Sequence, residues 1–288
     1  MKRKALQKLI ALTVVFVLMF CLGACGSKDS DPASATKATS EDESESGNES
    51  TGTEKFVVGF DAAFPPYGYL DENGEYVGFD LDLAEEVCER NNWEFVKQPL
   101  DWNSKDMELD SGTVSCLWNG FTMSEDRLDK YTWSEPYVDN SQVIVVHKDS
   151  GIQKLSDLAG KTVVVQEASS ALEALQSDDC KDLLDSFATL DQVPDYNQAF
   201  MYLESGGADA IAMDIGVANF QIANKGDDFV ILKEAVITEQ YAIGFKLGNE
   251  ELRDKVQNTL NEMVEDGTFD KIAEKWDLSE EVCLGKDK

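Results

Sequence analysis

The sequence predicts a two-lobed α/β fold in which two parallel-type sheets are joined by a two-segment hinge. Three observations carry this. Apolar extended runs alternate with helical patterns from residue 56 onward. Two further extended runs, residues 142–146 and 240–245, read as an outward and a return crossing between lobes, which makes a hinge. The 288 residues exceed one typical domain even after the N-terminal region is set aside.

At the N-terminus Lys2, Arg3, Lys4 and Lys8 precede an apolar run over residues 9–20, too short to span a bilayer and suited to a signal-peptide core. Leu22-Gly23-Ala24-Cys25 then resembles the lipobox of bacterial lipoproteins, where the chain is cleaved before the cysteine and its sulfur is lipidated. Residues 1–24 are therefore expected to be a signal peptide. Cys25 is expected to carry several acyl chains, because one chain alone holds a membrane only marginally. Residues 25–53 continue as a tether: beyond Cys25 they contain no aromatic and no branched aliphatic residue, so they cannot build a core. The chain carries 25 basic and 56 acidic residues, a net charge of −31; losing the four leader cations makes it −35. That sign excludes nucleic acid as a natural partner. A single histidine, His147, argues against a histidine-based metal site or triad, and no metal or cofactor is expected.

Folding begins with a strand over residues 56–60, followed by Asp61 and a loop stiffened by Pro65 and Pro66 that carries Phe64. Residues 71–74, Asp-Glu-Asn-Gly, form a turn. Phe79, Leu83 and Val87, with Leu81 and Ala84 beside them, space an amphipathic helix over 79–91. A strand at 93–96, Trp102, a short helix at 105–109 and a strand at 114–118 complete the first alternation. After the outward crossing come a short helix (155–158), a strand (162–166) and a helix (169–175) opening on a hydroxyl cap. A helix (197–204), a strand (208–213) ending at Asp214, a helix (217–223) and an extended segment (230–232) follow. Beyond the return crossing, helices at 250–264 and 269–275 close the first lobe. Lobe 1 is thus expected over 54–143 plus 241–288 and lobe 2 over 144–240. No internal repeat at a fixed period is present. Cys88, Cys116, Cys180 and Cys283 allow two disulfides in three pairings, with buried free thiols equally open for the first two.

In parallel α/β sheets ligands bind beyond the carboxyl ends of strands, where Asp61, Asn119, Gly120 and Asp214 fall. The stretch 118–127, Trp-Asn-Gly-Phe-Thr-Met-Ser-Glu-Asp-Arg, has the chemistry to hold a small carboxylate. Gly120 lets backbone approach a ligand closely. Ser124 suits a helix N-cap, with Glu125 and Asp126 in the first turn. Arg127 at the third helical position is then placed to close its guanidinium fork over an anion at the unpaired N–H groups.

Several motifs in order resemble the bacterial extracellular solute-binding proteins of polar amino acid ABC importers, family 3, over roughly residues 56–276. They are Val58-Gly59-Phe60-Asp61 with Pro65-Pro66, Gly78-Phe79-Asp80-Leu81-Asp82, the 119–127 clamp, Ser134-Glu135-Pro136-Tyr137, Leu155-Ser156-Asp157-Leu158, Gly207-Ala208-Asp209-Ala210 leading to Asp214, and Asp266-Gly267-Thr268-Phe269. The resemblance implies a type II periplasmic-binding-protein-like fold that closes over its ligand. It implies a binding protein rather than an enzyme: a monomer, held outside the cytoplasm on the membrane, that captures a free polar L-amino acid and delivers it to the permease subunits of the transporter. The presence of Asp61 leans the ligand slightly toward a cationic one. By the same resemblance, Arg127 and the backbone around Thr122 meet the α-carboxylate. The second-lobe hydroxyl pair Ser169-Ser170 adds a hydroxyl or N–H there, and Asp214 accepts from the α-ammonium. Asp61 lines the side-chain pocket, Phe64 lies against the side chain, and Trp102 and Trp118 are candidate walls. Two departures bear on the side chain accepted: Ala168 stands where relatives often have glycine, and Asn119-Gly120 stands where they often have serines. The rival expectation is an enzyme on the same fold, a dehydratase of cyclic acids, with Glu167 ahead of His147 as its acid or base.

Overall fold

The computed structural model describes residues 53–286. The expected signal peptide, Cys25 and the expected tether up to residue 52 lie outside the described residues. The first lobe opens with β1 (Lys55–Phe60), which buries Phe56, Val58 and Phe60 on one face. Three short strands follow, β2 (Ala63–Phe64), β3 (Gly68–Leu70) and β4 (Tyr76–Val77), paired antiparallel into a small sheet. Two or three residues show too little alternation to be read as strands, so only a loop and a turn are legible there. Helix α1 (Phe79–Asn91) buries Phe79, Leu83 and Val87 at the expected spacing, with Ala84 and Cys88 alongside. Next come β5 (Glu94–Pro99), a single 3-10 turn (Trp102–Ser104), α2 (Lys105–Ser111), β6 (Cys116–Leu117) and β7 (Tyr131–Trp133). Strand β6 is shorter than the expected 114–118 run: only Cys116 and Leu117 pair with β1, opposite Val58 and Gly59, before the chain peels away.

The crossing strand β8 (Val138–His147) is ten residues long and begins before the expected run. The second lobe then holds β9 (Thr162–Gln166), α3 (Ser170–Gln176), α4 (Lys181–Ser186), β10 (Thr189–Val193), α5 (Tyr196–Glu204), β11 (Ala210–Asp214), α6 (Ile215–Lys225) and β12 (Phe229–Ile231). Strand β13 (Ile237–Tyr241) runs back beside β8, and β14 (Gly244–Lys246), α7 (Glu250–Glu265) and α8 (Thr268–Lys275) complete the first lobe. Strand β10 was not read from the sequence because only Val193 of its five residues is buried, as befits an edge strand.

The first sheet has the order β5-β1-β6-β14-β7 and the second β10-β9-β11-β8-β12, with β13 on the remaining length of β8. Each sheet has a parallel core, β5-β1-β6 and β10-β9-β11. The strands that cross between lobes add on antiparallel: β14 beside β6 and β7, and β8 beside β11, β12 and β13. They enter from the opposite lobe, so their direction is set by the crossing rather than by a helix return. Cys88 and Cys116 are buried as free thiols, and burial pushes both upward, Cys88 to about 12.

Candidate functional site

Four strand ends converge. Asp61 follows β1, Asn119 and Gly120 follow β6, Gln166 ends β9 and Asp214 ends β11. With Phe64, Trp102, Thr122, Arg127, Ser169 and Ser170 they line one cleft between the lobes. Ten of the eleven residues singled out from the sequence meet here, together with Gln166. Trp118 does not: it is fully buried, edge-on to Tyr137, and belongs to the core.

On the first lobe the loop after β6 is pinned from below. Asp80 of α1 accepts from the Gly120 N–H at 2.6 Å and from Tyr137 Oη at 2.8 Å, and Asn119 Oδ1 accepts from the Asp61 N–H at 3.0 Å. Burial raises Asp80 to about 7 against the pull of those donors. Gly120 has φ of 54°, and a Cβ there would fall 2.8 Å from the Phe64 ring and 3.0 Å from Tyr241, so a side chain is excluded both by backbone and by space.

Arg127 is held differently from expectation. The helix expected at Ser124 is one 3-10 turn, Glu125–Arg127, and Ser124 makes no capping hydrogen bond. The next apolar residue, Leu128, is half exposed, so there is no buried stripe to hold a longer helix. The guanidinium is fixed instead by side-chain contacts. It lies 4.9 Å from the Phe121 ring centroid, Nη1 donates to Thr122 O at 3.3 Å, and Nε and Nη2 donate to Glu173 Oε1 of α3 at 3.1 and 2.8 Å. Three of its five N–H donors are thus engaged, and two remain for an anion in the cavity.

Across the cleft, Ser169 caps α3: its Oγ accepts from the Leu172 N–H at 3.1 Å and donates to Gln166 O at 2.7 Å. Ala168 keeps the left-handed conformation a glycine would take, φ 54°, and its carbonyl lies 3.4 Å from Nζ of the buried Lys105 on α2. Asp214 is fully enclosed. Its Oδ1 accepts from Tyr241 Oη (2.6 Å), Gln142 Nε2 (2.6 Å) and Asn140 Nδ2 (2.8 Å), and its Oδ2 from Tyr196 Oη (3.2 Å). Burial raises its pKa against the effect of these four donors. All four are neutral, so the carboxylate's charge is unmatched within its hydrogen-bond shell and suits an ammonium.

At the other end of the cavity Asp61 Oδ1 accepts from the Ala63 N–H at 2.8 Å, and Oδ2 from Gln166 Nε2 at 2.7 Å. Burial pushes its carboxyl up to about 6. Phe64 packs between Tyr67 and Tyr196, and Trp102 stands edge-on to Phe121 at 5.6 Å. Aromatic faces beside a buried carboxylate suit a cationic group.

The sequence missed Gln166, Glu173 and Glu239. Gln166 is the last residue of β9, so the strand-end rule applied to the second lobe points to it; Glu173 sits one turn past Ser170 on the same helix. Glu239 lies on β13, where an extended run gives no sign of which face meets the cavity.

Two sheet-containing lobes joined by paired crossing strands, closing on a cavity with a guanidinium from one side and a carboxylate from the other, define a type II periplasmic-binding-protein fold. The chain belongs to the bacterial extracellular solute-binding proteins, family 3, whose profile matches residues 56–279. It is 31% identical over 276 residues to the arginine-binding extracellular protein ArtP of Bacillus subtilis (strain 168), covering 94% of this chain and 98% of the relative. Among solved structures it is similar to a substrate-binding protein of an ABC uptake transporter from Streptococcus pneumoniae with bound histidine, at 31% identity and TM-score 0.75, over 81% of this chain and 93% of that one. An ancestral arginine-binding protein bound to arginine gives 36% identity and TM-score 0.71, over 77% and 97%.

Proposed function

We propose that this protein is the substrate-binding component of an ABC importer, taking up a free L-amino acid with a cationic side chain and handing it to permease subunits. The observation that carries the reading is the meeting of Arg127, Asp214 and Asp61 in the lining of one cleft. Arg127 and the Ser170 N–H take the α-carboxylate, Asp214 takes the α-ammonium, and Asp61 takes the side-chain cation between Phe64 and Trp102. The cleft opens when the lobes part about β8 and β13, and ligand favours the closed form through contacts that exist only there. The working location is outside the cytoplasm, as a monomer anchored through lipidated Cys25. The alternative of an enzyme has less support: neither Glu167 nor His147 lines the cavity, and His147 Nδ1 accepts from the Asp149 N–H at the end of β8.

Titration calorimetry with the twenty L-amino acids is the direct test, with L-arginine, L-lysine and L-histidine expected to bind. Arg127→Ala should weaken that binding by at least about a hundredfold, because it leaves a carboxylate unpaired in a closed cleft. No binding to any of the twenty would end this reading.

A further inference from the structure

Glu239 on β13 is not among the residues that line the cavity, yet its carboxylate lies against those that do. Its Oε1 is ringed by four donors. Thr122 Oγ1, Asn140 Nδ2 and Gln142 Nε2 each approach to 2.7 Å, and Ser170 Oγ to 3.3 Å. Asn140 and Gln142 turn the same nitrogens to Asp214 Oδ1. The two amides therefore bridge two carboxylates, and their own oxygens, Asn140 Oδ1 and Gln142 Oε1, are left buried without a partner. The demand of the carboxylates for donors has fixed the amide orientation.

The same logic applies to the hydroxyls. An oxygen that already receives two amide N–H groups is an acceptor, so Thr122 and Ser170 must donate to it. A hydroxyl has one proton. Thr122 Oγ1 commits its proton to Glu239 at 2.7 Å rather than to Ser170 Oγ at 3.1 Å, and turns its lone pairs to the cavity it lines. Ser170 Oγ gives its proton to Glu239; Gln142 Nε2 lies 2.9 Å away, but its two protons are turned to Asp214 and Glu239, so the Ser170 lone pairs stay open.

Resting on the amino acid reading above, we infer that Glu239 is a positioning residue: by taking the hydroxyl protons of Thr122 and Ser170 it turns both oxygens into acceptors for the ligand's α-ammonium. The three N–H bonds of that ammonium then meet three acceptors, Asp214, Thr122 Oγ1 and Ser170 Oγ. Ser170 serves the carboxylate through its backbone N–H and not through its hydroxyl. A carboxylate is needed for this, since a side-chain amide in its place can donate to Thr122 Oγ1 and send the hydroxyl proton back into the cavity, against the ammonium.

The test is a double-mutant cycle read by calorimetry with L-arginine, with melts checking that each variant folds. Glu239→Gln should weaken binding by about tenfold to a hundredfold, the worth of a hydrogen bond to a charged group. In a Thr122→Val background, where only the Ser170 hydroxyl remains to be turned, that loss should shrink clearly. Thr122→Ser should bind within about threefold of the wild type and Thr122→Val about tenfold or more weaker. A Glu239→Gln loss that is undiminished in the Thr122→Val background assigns Glu239 a merely structural role and overturns the inference. So does wild-type affinity in Thr122→Val, which needs no Glu239 variant to be folded. Failure of the wild type to bind any of the twenty amino acids removes the parent reading instead, and the role of Glu239 with it.

Discussion

Asp61 shows how one carboxyl can select a ligand. It is buried, it has only a backbone N–H and the Gln166 amide as donors, and its carboxyl titrates near 6 where an exposed one titrates near 3.8. A cation brought beside it lowers that value again, so the proton must leave as the ligand enters. At about pH 6, where this carboxyl is half protonated, binding of L-arginine should release up to about half a proton, measured as a dependence of the binding enthalpy on the ionisation enthalpy of the buffer. Affinity should rise as pH goes from 5 to 7 and then level off, and Asp61→Asn should remove both effects. An affinity flat across that range would show that Asp61 does not meet the ligand's charge. Asp61 and Asp214 were legible in the sequence because each stands at or just beyond the end of an apolar strand, where the α/β architecture puts its ligands, whereas Arg127 was reached through the helix-start pattern after Ser124, of which only one 3-10 turn forms. Trp118 misled for the same reason: it sits at such an end, yet its ring turns into the core. Glu239 and Glu173 were beyond reach, because their roles depend on which residues of the other lobe face them.

At the scale of elements, what was legible tracks how much apolar pattern each one carries. Helices α1 and α7 repeat their buried residues over about two to three turns, and strands β8 and β9 contain continuous apolar runs, residues 143–146 and 163–165. The β2-β3-β4 sheet and the turn carrying Arg127 are too short to show a period, and their form is set by neighbours. The entry to α3 is the informative case. Ala168 occupies a left-handed conformation that costs an L-residue about 1–2 kcal/mol, and the chain tolerates it because Ser169 must cap α3 from that position while Lys105 bonds the Ala168 carbonyl. Its methyl also packs against the cluster around Trp102, which offsets part of the strain. Ala168→Gly should therefore stabilise the ligand-free protein by up to about 1 kcal/mol in denaturant melts. A destabilisation of similar size would mean that the methyl contact outweighs the backbone strain.

For the whole molecule the question is what holds two negatively charged halves together. The lobes are linked over the cavity by Asp61 to Gln166, Arg127 to Glu173, Thr122 to Glu239 and Lys105 to Ala168, of which only the second is an ion pair. Closing on these contacts buries the carboxyl groups of Asp61, Asp214 and Glu239, and burial raises all three pKa values. Protons and a cationic ligand therefore compete to neutralise the same interior. For Asp61 the sign follows from the two forms. Closed, burial holds it near 6; an open cleft relieves that burial and lets it fall back toward the ordinary carboxyl value of 3.8. The closed form binds the extra proton between those limits, so without ligand the balance moves toward closure as pH falls from about 7 to about 4. A difference of about two pH units is worth roughly 3 kcal/mol, a shift of roughly a hundredfold in the closed-to-open ratio from this one group. Small-angle scattering on the ligand-free protein should accordingly give a smaller radius of gyration at pH 5 than at pH 8. L-Arginine should produce the compact form at pH 8, and its affinity should fall over the same interval in which the ligand-free protein closes. A ligand-free radius that does not change between pH 8 and pH 5, in a protein that L-arginine does compact, would show that the interior carboxyl groups do not govern closure.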